Sequence, residues 1–231
     1  MNNKIDLQRL LGALGLGGIL PEQILYKDAS MVHLESRQVL FHKNDPVDKI
    51  YLVLYGSLRM QSLPLAQSDA VIYAFKRAGC LLGIFTYLES SHQHSATAVS
   101  MENTALLAIP SPVFMNEVVR SPRLRDEVHR QIALNFKELQ SDREMQRAPT
   151  AVRLAHFLKR TLDDQNQFQS RSILMKLTKK DLAKKIGAEP ETIVRLLSEW
   201  TRKGIIKNQN RTIEICQLDV LERMARKTMV L

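Results

Sequence analysis

The stretch LTKKDLAKKIGAEPETIVRLLSEWTRKGIIKNQNRTIEI, residues 177–215, carries its own punctuation. Thr178 is a residue of the N-cap type, and Asp181 three positions later suits a first helical turn. Leu182, Ala183 and Ile186 make the buried side of a helix of about two turns, which Gly187 closes as a C′ glycine does. Ala188 and Glu189 form a tight turn, and Pro190 suits the first turn of the next helix. Ile193, Leu196, Leu197 and Trp200 give that helix its apolar stripe, and Gly204 ends it after basic residues. Residues 205–215 then read as a β-hairpin with its turn at 208–210. Two helices around a Gly turn, followed by a hairpin, describe a winged helix-turn-helix.

The second helix leaves Glu191, Thr192, Val194 and Arg195 off its stripe, near its N-terminus. Glu191 and Arg195 are four apart and share a face. One reading is a surface ion pair, which is common and weak. The other is a face that reads donors and acceptors on double-stranded DNA. Arg195 suits guanine O6 and N7, Glu191 suits cytosine N4, and Val194 suits a thymine methyl. Charge favours the second reading. Residues 1–149 hold 16 Lys and Arg against 15 Asp and Glu, whereas residues 150–231 hold 17 against 9, so +8 of the net +9 falls in the last third. Such asymmetry marks a polyanion-binding surface. Thr178, Lys179, Lys180, Arg202, Lys203 and Arg211 are the candidates for phosphates, where they position the duplex without reading it.

Upstream, short strand-like pieces run from Gln38 to Ile109, separated by turn signals such as Tyr55-Gly56-Ser57 and Glu102-Asn103. They predict an all-β sandwich or barrel. Residues 123–147 are long, polar and free of proline. Leu124, Val128, Gln131, Asn135 and Leu139 fall at helical spacings, and Ile132 and Phe136 widen the stripe. That stripe either packs on the β domain or forms a dimer seam, and we assign Leu124, Val128, Gln131, Ile132, Asn135 and Leu139 to dimerisation. Three parts are expected: 1–110, a β domain with an N-terminal amphipathic helix; 111–147, a connecting and dimerising helix; 148–231, the DNA-binding domain, with Ala148-Pro149 as the boundary.

Only Cys80 and Cys216 are present, which argues against a disulfide framework and for a reducing, cytoplasmic setting. No run of apolar residues is long enough to span a membrane. His92 and His94 lie two apart with no acidic or Cys partner nearby in sequence, so a loop or strand role is preferred to a metal site. No nucleophile–base–acid arrangement or paired catalytic carboxylates stand out, and neither a catalytic residue nor a cofactor is assigned.

PETIVRLLSEWTRKGII, preceded by the β region and the long helix, resembles the family of the cyclic-AMP receptor protein and the fumarate–nitrate reduction regulators. The resemblance covers nearly the whole chain. It implies an α+β protein: an N-terminal β-roll (a jelly roll like a cyclic-nucleotide-binding domain), a long dimerisation helix and a C-terminal winged helix-turn-helix. It also implies a homodimer on a near-palindromic operator, with RNA polymerase as partner at target promoters. The family's recognition helix carries a Glu, Thr-Val/Ile, and an Arg four after the Glu, which fall on Glu191, Thr192, Ile193 and Arg195. Pro190 stands where the cyclic-AMP receptor has Arg, and Val194 where the fumarate–nitrate type has Ser. The nucleotide cassette of Gly-Glu-Leu and Arg-Ser-Ala aligns with GIFTYLESSHQHSATA. Gly83, Ser95 and Ala96 survive, but Ile84 replaces the ribose-binding Glu and His94 the phosphate-binding Arg. The N-terminal Cys cluster of the oxygen-sensing branch is missing too. An effector pocket of Gly83, Ile84, His94, Ser95 and Ala96 is therefore expected to take a small molecule other than cyclic AMP. The alternatives are a cyclic nucleotide held by a protonated His94 with Ser91 and Ser95, or a haem or metal bound by His92 or His94 with Cys80.

Overall fold

The computed structural model describes residues 2–62, 70–89, 91–165, 172–173, 178–209 and 212–226. The chain divides into two compact units, Met1–Lys137 and Glu138–Leu231.

The first unit opens with helix α1 (Asn2–Ala13) and a π-helical turn (Ile24–Asp28). Eight strands follow: β1 (Ser30–Leu34), β2 (Val39–Phe41), β3 (Lys49–Tyr55), β4 (Ser57–Ser62), β5 (Val71–Arg77), β6 (Leu81–Leu82), β7 (Thr97–Ser100) and β8 (Thr104–Pro110), with the short helix α2 (Ile84–Tyr87) between β6 and β7. Helix α3 (Ser111–Arg120) and the long helix α4 (Pro122–Met145) come next. The strands pair antiparallel in two sheets, ordered β1-β8-β3-β6 and β2-β7-β4-β5. Strand alternation decides where the cores lie. On β3, Ile50, Leu52 and Leu54 face a core shared with α1, α3 and α4, while Val53 faces the core between the sheets. On β8, Leu107 and Ile109 take the first side and Leu106 the second. This sheet is covered on both faces, which is why TALLAIP is apolar after Thr104. β1 lies before the start expected at Gln38. It is an edge strand with mostly exposed side chains and owes its place to pairing with β8.

The second unit takes the end of α4, helix α5 (Thr150–Gln165), β9 (Ser172–Ile173), α6 (Lys179–Ile186), α7 (Pro190–Arg202), β10 (Ile206–Gln209), β11 (Thr212–Ile215) and α8 (Leu218–Arg226). Its sheet runs β10-β11-β9. Asn208, expected in the hairpin turn, instead pairs with Ile213 in the ladder. Leu154 and Leu158 of α5, Ile193 and Trp200 of α7, Ile206 and Leu221 are all buried.

The boundary between the two compact units falls inside α4, where Glu138 and Asp142 are ion-paired to residues of α5 and α6. The stripe on α4 needs correction. Leu124 and Val128 pack into the protomer's own core. Gln131 accepts from the Leu81 N–H at 2.8 Å and donates to the Gly79 carbonyl at 2.9 Å. Asn135 accepts from Lys76. These four serve the β domain. Of the stripe, Phe136 and Leu139 stay about 60% exposed (61% and 59%), while Ile132 is partly buried against the same core; Leu134, off the stripe, is 47% exposed. Among the described residues, no helix is long and apolar enough to cross a membrane.

Candidate nucleic-acid interface

The helix-turn-helix is built by local hydrogen bonding. Thr178 Oγ1 accepts from the Asp181 N–H at 3.0 Å, and Asp181 Oδ2 accepts from the Thr178 N–H at 3.3 Å, a complete capping box. The Thr178 hydroxyl also donates to Asp181 Oδ2 at 2.6 Å. Its single hydrogen thereby serves the cap. At the other end Gly187 adopts φ +67°, a left-handed conformation that a side chain would strain. Arg153 of α5 holds this turn, donating to the Gly187 carbonyl at 3.1 Å and to the Gln146 carbonyl at 3.1 Å. Arg153 was not foreseen, since a lone basic residue in a helical stripe gives no sign of where it reaches.

Helix α7 starts at Pro190 and turns Ile193, Leu197 and Trp200 inward. Glu191, Val194 and Arg195 are exposed on the other side, and Thr192 is half-buried. Among the described residues, Glu191 and Arg195 form no ion pair with each other or with any other side chain. The surface-pair reading thus has no geometry behind it. The charge pairing on this helix lies a turn further on. There Lys203 meets Glu199 at 2.5 Å and holds the Glu199 carboxyl below its usual range. Lys203 is exposed but engaged. Lys179, Lys180 and Arg202 are exposed and carry no such bridge among the described residues. Lys207, on the wing strand, lies 3.7 Å from Glu214. Arg211 lies outside the described residues.

In the sensor unit the expected pocket residues stand in different surroundings. Gly83 (φ +91°) caps α2, and a Cβ there would meet the Lys49 carbonyl at 3.1 Å. Ile84 is fully buried in the helix-side core, so it fills space. His94 is buried and stacks on Phe41, with ring centroids 3.5 Å apart and planes 7° from parallel. Burial lowers its pKa to about 4, outweighing the raising influence of Asp45 and Asp48. Burial thus favours the uncharged ring at neutral pH. Ser95 is exposed and Ala96 buried. Ser91 donates to Glu89, and His92 packs instead against Tyr87. No cluster of three metal-ligating side chains occurs among the described residues. An open groove of about 750 Å³ lies between the β1–β2 turn, Tyr55 and Asn103. None of the expected effector residues lines it.

Two family models match the chain: a cyclic nucleotide-binding domain at residues 31–121 and a Crp-like helix-turn-helix domain at residues 152–224. The chain belongs to the CRP/FNR family of transcription regulators. Among relatives, it is 25% identical over 199 residues to the transcriptional regulatory protein btr of Bordetella pertussis, covering 84% of this chain and 80% of that one. It is 27% identical over 202 residues to the fumarate and nitrate reduction regulatory protein of Escherichia coli K12, covering 84% and 78%. The fold is similar to that of FixK2 from Bradyrhizobium japonicum, with a TM-score of 0.72 at 18% identity, covering 85% of this chain and 96% of that one. The protein is accordingly a transcriptional regulator of this family with a DNA-binding helix-turn-helix.

Proposed function

We propose that this CRP/FNR regulator acts as a homodimer that reads a near-palindromic operator through Glu191, Val194 and Arg195, under a signal other than cyclic AMP. The observation that carries this reading is the outward face of α7. Near its N-terminus Glu191 and Arg195 are exposed and form no ion pair among the described residues, while Ile193, Leu197 and Trp200 are buried on the inward face. A helix N-terminus in a major groove presents these side chains to base edges. Lys179, Lys180 and Arg202 then supply cations for the flanking phosphates. The homodimer is supported by Ile132, Phe136 and Leu139. They recur at spacings of four and three on α4, as a two-helix seam requires, and two of them are largely exposed.

On the sensor side, cyclic AMP is disfavoured because its two polar anchors are replaced by a core isoleucine and an uncharged, stacked histidine. An uncompensated phosphate beside them would lose the charge-assisted hydrogen bonds that make such sites tight. The test is selection of bound duplexes from a random pool, with and without small molecules from cell extract. A two-fold symmetric consensus supports the reading, and a change of yield with extract supports an effector. Recovery of no consensus refutes sequence-specific recognition.

A further inference from the structure

The second unit contains a closed ring of four charges. Glu138 and Asp142 lie one turn apart near the end of α4. Arg160 comes from α5 and Lys185 from α6. Arg160 bridges Asp142 at 2.8 Å and Glu138 at 3.1 Å; Lys185 bridges Asp142 at 2.6 Å and Glu138 at 3.5 Å. Each cation touches both carboxylates. The Lys185 side chain is only 3% exposed and that of Arg160 18%, so these are not freely solvated surface pairs.

Two acids four apart on one helical face repel each other. Glu138 and Asp142 therefore weaken α4 unless cations dock between them, and the docked cations belong to the two helices that carry the DNA-reading element. α6 leads directly into α7 through Gly187. Ser141, between the two acids, adds a 2.6 Å hydrogen bond to His156 of α5. The ring is thus the polar joint between the last turns of α4 and the helix-turn-helix.

We propose that this ring determines half-site spacing: it fixes α7 against the last turns of α4, and so how far apart a dimer holds its two recognition helices. The inference rests on the homodimer reading above. Glu138, Asp142, Arg160 and Lys185 are positioning residues that need never touch DNA. Spacing is a sharp variable, since one added base pair moves a half-site by about 3.4 Å and turns it by about 34°. A rigid joint rejects that displacement, and a loosened one tolerates it.

Two double variants test this. Asp142→Asn with Lys185→Met leaves the Glu138–Arg160 bridge. Glu138→Gln with Arg160→Gln leaves the Asp142–Lys185 bridge. Each removes one acid and one base, so net charge is unchanged and each remaining charge of the ring keeps a partner. If one pair fails to fold, the other still decides. The probe is the duplex selected by the wild-type protein, rebuilt with one base pair added or removed at its centre. The wild type is expected to prefer the original spacing by roughly tenfold or more, on the scale of a mismatched base pair. The variants are expected to lose most of that preference while keeping the same consensus within each half-site. An unchanged spacing preference overturns the proposal. So does a loss of base preference together with spacing, because the ring would then be a general folding element. If the wild type selects no two-fold symmetric duplex, the homodimer reading fails first and the inference falls with it.

Discussion

Replacing Phe136 and Leu139 together by glutamate should turn a dimer into a folded monomer. Both side chains are about three-fifths exposed in the protomer, so each has on the order of 100 Å² still to bury. Across a two-fold seam, four such side chains remove about 400 Å² from water, a gross gain of roughly 10 kcal/mol at about 25 cal/mol per Å². Association itself costs about 4–15 kcal/mol, so this surface decides whether the dimer forms. Four carboxylates at the same place would remove the gain and add repulsion. The assay is sedimentation equilibrium at micromolar concentration, with a circular dichroism melt alongside. The expected result is a monomer with a near wild-type melt and a collapse of operator binding. A variant that sediments as a dimer would refute the seam. Val128→Glu is the contrasting control. Val128 is 2% exposed in the protomer's own core, so a charge there should lower the melting temperature steeply and report nothing about the dimer.

Arg195→Ala should cost roughly 1–3 kcal/mol per half-site and relax preference at a single position, measured on a panel of single-base operator variants; a uniform loss would make Arg195 a phosphate contact. Lys179→Ala should weaken all duplexes alike and make the salt dependence shallower by about one unit of slope, with an unchanged slope as the opposing result. Titration calorimetry at neutral pH should detect no binding of cyclic AMP at micromolar concentration, and tight binding would overturn our reading of Ile84 and His94. Burial depresses His94 to about 4 from an ordinary 6.5, so the unfolded chain takes up the proton first. Its contribution to stability is full above about pH 6.5 and declines toward pH 4, by up to about 3 kcal/mol. Urea midpoints at the two ends of that window should therefore differ less in His94→Phe than in wild type, and equal differences would sink the idea.

The C-terminal unit was legible because its signals are local. Thr178 with Asp181, Gly187, Pro190 and Gly204 each act within four residues of where they stand, and the structure puts a cap or a turn at each. The β-roll was legible in outline but not at its edge. β1 alternates only over Val32 and Leu34, too short a pattern to stand out, and is defined by β8, seventy-odd residues away. The sensor residues were located but their roles were not. The family resemblance puts His94 where an arginine is expected; it does not show that Phe41 lies flat against the ring. The α4 stripe failed in an instructive way. Helical periodicity finds residues sharing a face, but the β domain and a second protomer both want apolar faces. Leu124 and Val128 satisfy the first, and Phe136, left exposed only 120° or less around the helix, is the face we propose for the second.

The division of labour among the basic residues also explains why net charge was a sound but incomplete guide. Arg153, Arg160 and Lys185 all count toward the +8 of the last third, yet each spends its charge inside the unit, on a carbonyl or a carboxylate. Arg195, Lys179 and Lys180 face outward with no bridge among the described residues. The inward set is held in place by burial, where salt screens poorly; the outward set is screened within about 8–10 Å at physiological ionic strength. Raising salt should therefore dissociate the complex while leaving the geometry of its reading head intact. A regulator built this way can vary its affinity over orders of magnitude with ionic conditions and still ask the same question of every duplex it meets.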